Sequence, residues 1–243
     1  SWNKIMSNVK IDAVILAAGV GLRINNISKD KPKGFIEING KSLIQRSIKL
    51  LKKSGINNIY IVTGYKKEFF ESLAYNFTNV FTINNPDYLN TGSFGSFLSL
   101  KNHIKNSFLL LESDLLYDRK ILMELINDSR NNIIATSDFT NAGDEVYVEG
   151  IDSHLKNMSK DKSLFDKDSS EFIGISKISI RLFNFLIKNY SDKKLNEYEE
   201  ILVKASETQK IFIKKLFDVS WCEIDTLDHL ERAKQKIYPL LKK

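Results

Sequence analysis

Across 243 residues there is a single cysteine, Cys222, which excludes an intramolecular disulfide and any site built from several thiolates. Histidine is nearly as scarce: His103, His154 and His229 share no spacing, which argues against a histidine metal site. No apolar run approaches the roughly 18 residues of a membrane-spanning helix, so no membrane span is expected. The opening Ser1-Trp2-Asn3-Lys4 has no signal-peptide core, and a cytoplasmic location is expected. There is no Gly/Ser linker, internal repeat or low-complexity tail, so residues 1–243 are expected to form one domain. With 42% hydrophobic residues, the chain has enough apolar surface for a core that needs no disulfide or structural metal.

The formal charge of +6 is unevenly spread. Residues 1–50 hold nine Lys/Arg against three Asp/Glu, while the remaining 193 residues balance. A local excess suits a phosphate-binding site better than a broad nucleic-acid surface, so neither nucleic acid nor membrane is expected as a partner. Thirty of the 36 basic residues are Lys and 22 residues are Asn, a bias that by itself argues nothing about DNA.

The pattern along the chain alternates between strand and helix. Val14-Ile15-Leu16-Ala17-Ala18 reads as a buried strand running into Gly19-Val20-Gly21-Leu22-Arg23. Phe35-Ile36-Glu37-Ile38 reads as a short strand, and residues 42–53 as a helix stopped by Gly55. Strands are expected at 59–63, 80–83, 108–111 and 133–136, with helices over 66–75, 93–104 and 119–127. After Thr140 the character changes, with strands expected at 145–149, 155–158, 172–178 and 211–213 and helices over 179–190, 196–207 and 226–237. Such a series predicts an α/β fold with a mostly parallel sheet and helices on both faces. Ligands in such folds sit beyond the C-terminal strand ends, where residues 17–33 and 112–114 lie.

Two features of that edge carry chemistry. The segment 16–23 is neither a dinucleotide fingerprint, because position 24 is Ile, nor a P-loop, because no Lys-Ser/Thr follows the glycines. What remains is a small-residue turn with exposed N–H groups, followed by the guanidinium of Arg23 and the ammonium of Lys33, both suited to a triphosphate. An ordinary tight turn beside a solvated basic loop is the other reading. Asp114, after a buried apolar run, suits magnesium or a helix cap before residue 119. Asp225, just before the last helix, has the same two readings.

Leu16-Ala17-Ala18-Gly19-Val20-Gly21-Leu22-Arg23 with Lys31-Pro32-Lys33 resembles the signature of the nucleoside triphosphate transferases. The resemblance extends over residues 11–240. It implies a Rossmann-like three-layer nucleotidyltransferase fold, with a mixed, mostly parallel central sheet and an acceptor-binding insertion at about 141–178. Asn90-Thr91-Gly92-Ser93, Leu110-Leu111-Glu112-Ser113-Asp114-Leu115, Gly143-Asp144-Glu145-Val146-Tyr147, Met158-Ser159-Lys160 and Trp221-Cys222-Glu223-Ile224-Asp225 are more closely similar to the 2-aminoethylphosphonate cytidylyltransferases. Some members of that family are fused to another phosphonate-pathway enzyme, and the resemblance allows this chain to be one part of such a protein.

What the resemblance implies, residue by residue, is a CTP site in which Ala17, Ala18 and Gly19 touch the cytidine and Thr91, Gly92 and Ser93 hold base and ribose. Arg23 would engage the outgoing phosphates, and Lys33 would lie near the α-phosphate and the incoming phosphonate. Asp114 and Asp225 would hold Mg²⁺, and Lys160 would bind the phosphonate of 2-aminoethylphosphonate. No histidine is expected near these stretches. The acidic pair Asp144-Glu145 could receive the acceptor ammonium; if the pair begins a strand, only one of the two need face the ligand, with Asp144 slightly favoured and a solvated turn as the other reading. Phosphocholine is the alternative acceptor, with Tyr147, Phe172 and Trp221 as candidate aromatic faces. Sugar 1-phosphates come next, and a catalytically silent nucleotide-binding domain is the reading from another class.

Overall fold

The computed structural model describes residues 10–24, 30–165, 168–194 and 196–241. The Ser1-Trp2-Asn3-Lys4 opening lies outside the described residues.

The chain enters through β1 (Asp12–Ala17) and a 3₁₀ turn at Leu22–Ile24. A second 3₁₀ turn at Lys33–Phe35 leads to a short hairpin, β2 (Glu37–Ile38) with β3 (Lys41–Ser42), and to α1 (Leu43–Lys53). Then come β4 (Ile59–Thr63), α2 (Lys67–Tyr75), β5 (Val80–Asn84), α3 (Gly92–Leu98), β6 (Phe108–Glu112), β7 (Leu115–Tyr117) and α4 (Arg119–Ile126). The second half holds β8 (Ile133–Ser137), β9 (Tyr147–Ile151), β10 (His154–Ser159), β11 (Ser170–Ile178) and α5 (Ile180–Tyr190). It closes with α6 (Tyr198–Ser206), β12 (Phe212–Lys215), β13 (Trp221–Glu223) and α7 (Leu227–Arg232).

Among the described residues, nine strands form one sheet in the order β5-β4-β1-β6-β11-β8-β12-β10-β9. β5, β4, β1 and β6 run parallel, as do β8 and β12; β11 is inserted antiparallel between β6 and β8. β1 is buried at all six positions because it has a strand on each side and helices on both faces. Its alternation sorts the core. Ala13 and Ile15 pack with Ile44 and Ile48 of α1, Phe70 of α2 and Ile121 of α4. Val14 and Leu16 pack with Phe94 of α3, Phe183 of α5 and Ile201 of α6. The result is the expected Rossmann-like three-layer α/β fold with a mixed sheet.

Several elements differ from the sequence pattern for identifiable reasons. The helix expected over 93–104 ends at Leu98, and the chain turns through Asn102 in the left-handed region (φ 71°). The strand expected at 35–38 is reduced to Glu37–Ile38, because Lys33–Phe35 is wound into a turn. The strand expected at 145–149 begins at Tyr147, which leaves Asp144 and Glu145 in the preceding loop. The last helix continues as a π-helical segment over Ala233–Ile237. The antiparallel pair β7–β13, which joins Tyr117 to Trp221, has no signal in the local sequence pattern.

Candidate active site

β1 and β6 end on the same edge of the sheet, and the segments that leave them line a cavity of about 350 Å³. Ala17, Ala18, Gly19 and Gly21 form one wall, with Lys33, Gly92, Ser93 and Asp114 facing them. The glycine at position 21 has a specific job: a Cβ there would lie 2.6 Å from Cγ of Lys33. Its absence lets the lysine stem cross the loop and reach the sheet edge.

Lys33 Nζ donates to Asp114 Oδ2 at 3.0 Å and also to Asp225 Oδ1. Arg23 Nη2 donates to Asp225 Oδ2 at 2.9 Å. Asp225 is only 1% exposed, so its charge is held by two cations, whereas the Arg23 side chain is 58% exposed and reaches into solvent. The capping alternative fails for both aspartates. Asp118 caps α4 by accepting from Lys120 N at 2.9 Å, and Thr226 caps α7 by accepting from His229 N at 3.3 Å.

Asp114 lies with Glu112 and Glu223, and Asp225 with Asp144 and Glu223, in two sets whose carboxylate oxygens are within 4.8 Å of one another. A donor set made of carboxylates, without thiolate or imidazole, fits a hard cation such as magnesium.

A second cavity of about 340 Å³ adjoins the first, sharing Glu112, Lys160, Glu197 and Glu223. Among the described residues, seven carboxylates line it, including Asp144, Glu171 and Glu199, against the two cations Lys160 and Arg232. Enclosure is the main cause of a common shift. Burial pushes the Glu223 carboxyl up to about 8 and that of Glu199 up to about 7. The Glu112 carboxyl is raised well above its ordinary value by burial and then by the charges of Glu223, Glu199 and Asp114. Oδ2 of Asp144 and Oε2 of Glu199 are buried without a hydrogen-bond partner among the described residues. A cation entering this space would hold these groups ionised and fill the missing contacts.

The site residues expected from sequence are distributed as follows. Arg23, Lys33, Asp114 and Asp225 meet, and Ala17, Ala18, Gly19, Gly92 and Ser93 line the first cavity. Lys160 borders both cavities. Thr91 lines neither: its hydroxyl donates to Asp87 O at 2.8 Å and accepts from Asn85 Nδ2 at 3.1 Å, which braces the loop. Of the acidic pair, Asp144 lines the second cavity, while Glu145 is absent from both walls and accepts from Gly143 N at 3.1 Å. Phe172 and Trp221 line the second cavity; Tyr147 instead packs against Phe139 and Phe165. The expectation of no histidine nearby is corrected, because His229 Nδ1 accepts from the backbone N–H of Asp225 at 3.2 Å.

Sequence reasoning missed Glu112 and Glu223 as site residues. Both stand two positions before an expected aspartate, in Glu112-Ser113-Asp114 and Glu223-Ile224-Asp225, and that repeated spacing was the available signal. Glu197, Glu199 and Glu200 carried none, since acidic residues at a helix start are ordinary.

A family model described as the MobA-like NTP transferase domain matches residues 13–163. The chain is 27% identical over 232 residues to the choline-phosphate cytidylyltransferase of Streptococcus pneumoniae, covering 92% of this chain and 96% of that protein. It is 24% identical over 255 residues to the CTP:phosphoglutamine cytidylyltransferase of Campylobacter jejuni, covering 91% of this chain and 98% of that protein. Among solved structures, the inositol-1-phosphate CTP transferase from T. maritima superposes with a TM-score of 0.81 at 18% identity, covering 96% of this chain and 95% of that one. Because the family model spans well over half of the chain and includes the glycine turn, Lys33 and Asp114, this protein is a nucleotidyltransferase of the MobA-like NTP transferase family.

Proposed function

We propose that the protein transfers CMP from CTP to 2-aminoethylphosphonate and releases pyrophosphate. The observation that carries this reading is the carboxylate-rich cavity adjoining the first cavity through Glu112, Lys160, Glu197 and Glu223. The first cavity takes the nucleotide, with Ala17, Ala18, Gly19, Gly92 and Ser93 against the nucleoside and Arg23 on the outgoing phosphates. Lys33 lies between the α-phosphate and the acceptor. Lys160, on both walls, receives the phosphonate, and the carboxylates beyond it receive the ammonium. The second cavity draws on residues 140–172 and also on Glu199, Trp221, Glu223 and Arg232.

A phosphonate oxygen, already anionic near neutral pH, attacks the α-phosphorus. The bond to the bridging oxygen of pyrophosphate breaks in line, so no strong general base is required. Repulsion between two anions is the barrier, and Lys33, Lys160 and Arg23 lower it by position and charge. Magnesium, when bound by Asp114 and Asp225, supplies further neutralisation of the phosphate oxygens.

A primary ammonium suits the cavity because it brings N–H donors to the oxygens of Asp144 and Glu199 that have no partner among the described residues. The second reading, phosphocholine, is favoured by Phe172 and Trp221 on the same wall, since a trimethylated cation prefers aromatic faces. An NTP-by-acceptor matrix read by pyrophosphate release decides. It contains 2-aminoethylphosphonate, 2-hydroxyethylphosphonate, phosphocholine and several sugar 1-phosphates. Turnover is expected with CTP and the aminoethyl compound, with the hydroxyethyl compound at least tenfold poorer. Preference for phosphocholine replaces the first reading with the second; no turnover with any acceptor, despite tight CTP binding, removes both.

A further inference from the structure

Both ring nitrogens of His229, a residue of α7 only 9% exposed, are engaged. Nδ1 receives the backbone N–H of Asp225 at 3.2 Å, and Nε2 lies 3.2 Å from the carbonyl oxygen of Ala142. An amide can only donate and a carbonyl can only accept. The partners therefore fix a neutral ring with Nδ1 bare and Nε2 carrying the proton. Ala142 and Asp144 belong to the loop that walls the carboxylate cavity. The same loop is tied at Thr140, whose N–H and hydroxyl donate to Glu171 at 2.5 and 3.0 Å and whose carbonyl accepts from Arg232 Nη2 at 3.3 Å. Of these three side chains, His229 alone also grips the backbone of Asp225, the residue that holds Lys33 and Arg23.

We propose that His229 is a positioning residue that sets the wall at 140–145 relative to Asp225 and so couples acceptor binding to the reaction centre. The proposal rests on reading the carboxylate cavity as the acceptor site. Two near-isosteric variants separate the two bonds. His229→Asn keeps an acceptor at the Nδ1 position but loses the donor to Ala142. His229→Gln keeps a donor at the Nε2 position but loses the acceptor for Asp225 N–H. Losing one such bond in an enclosed site costs on the order of a factor of ten.

For His229→Asn, amide exchange in residues 141–146 of the free protein is expected to rise about tenfold, with a similar rise in acceptor KM and kcat within about twofold of wild type. For His229→Gln, exchange in 141–146 is expected to stay at the wild-type level, while kcat falls about tenfold at little-changed acceptor KM. Wild-type exchange in 141–146 for both variants would overturn the proposal. So would equal losses in kcat and KM for the two, which is what a merely structural residue gives. Exchange needs no substrate, so the two readings fail separately. Altered exchange as described, with no acceptor turned over by the wild type, leaves the bridge standing and removes the acceptor assignment.

Discussion

Gly92→Ala tests the seam between the two cavities. Gly92 has φ 55°, and a Cβ there would lie 2.2 Å from the carbonyl oxygen of Asn196 and 2.4 Å from its Oδ1. The carbonyl cannot swing aside freely, because it accepts the N–H of Phe94 at 3.0 Å. Ser93 sews the same seam: its hydroxyl donates to Glu197 Oε2 at 2.5 Å and accepts from Tyr198 N at 3.0 Å. An alanine in the left-handed region costs about 1–2 kcal/mol, and the backbone collision adds about 1–3 kcal/mol. The sum, about 2–5 kcal/mol, corresponds to a Tm lowered by roughly 5–15 °C in a chain of this size. Gly40→Ala is the control, since Gly40 has φ 71° with nothing within 4 Å of its would-be Cβ, so it carries the dihedral cost alone. Thermal unfolding followed by circular dichroism gives the stabilities, and calorimetric titration with CTP tests the effect of separating the loops on the first cavity. A Gly92→Ala protein that melts no lower than Gly40→Ala and binds CTP as the wild type does would refute the reasoning.

How far the sequence discloses the site depends on whether local pattern or long-range packing sets each feature. The buried run of β1, the turn after it and the end of β6 are local consequences of hydrophobic runs and small residues, and they place Arg23, Lys33 and Asp114 on one edge. The convergence of Asp225 on Lys33 spans 192 positions, and no local pattern encodes it; the family resemblance was what pointed to it. The same holds for α6, whose glutamates read as an ordinary helix start and reach the second cavity because Gly92 lets the Asn196 segment approach. The sequence favours Asp144 over Glu145 only slightly, and it is the cavity wall, which includes Asp144 and not Glu145, that separates them. The alternation argument fails for them because β9 begins two residues after Glu145. The spacing of the three histidines argues only against a shared metal site, and the partners of His229 are backbone groups that spacing cannot reveal.

Lys33→Ala should lower turnover by about a hundredfold or more while far-UV circular dichroism stays that of the wild type, because the charge shared by Asp114 and Asp225 disappears from the reaction centre. Near-normal turnover in the folded variant would refute its assignment. The final prediction concerns pH and Glu171, a residue 4% exposed whose carboxyl is pushed up to about 7, chiefly by burial and against the two hydrogen bonds from Thr140. In the unfolded chain the same group loses its proton near its ordinary value of about 4.5. Between those limits the folded protein binds more protons than the unfolded one, so this residue makes stability fall as pH rises from about 4.5 to about 7. Glu199 and Glu223, also raised, contribute slopes of the same sign, so the test is a difference. Urea unfolding of wild type and Glu171→Gln at several pH values should give a shallower decline for the variant across that window and parallel curves above it. Equal slopes in the two proteins would mean that the carboxyl at 171 is ionised throughout, and that the wall at Thr140 is held by a charge the cavity does not penalise.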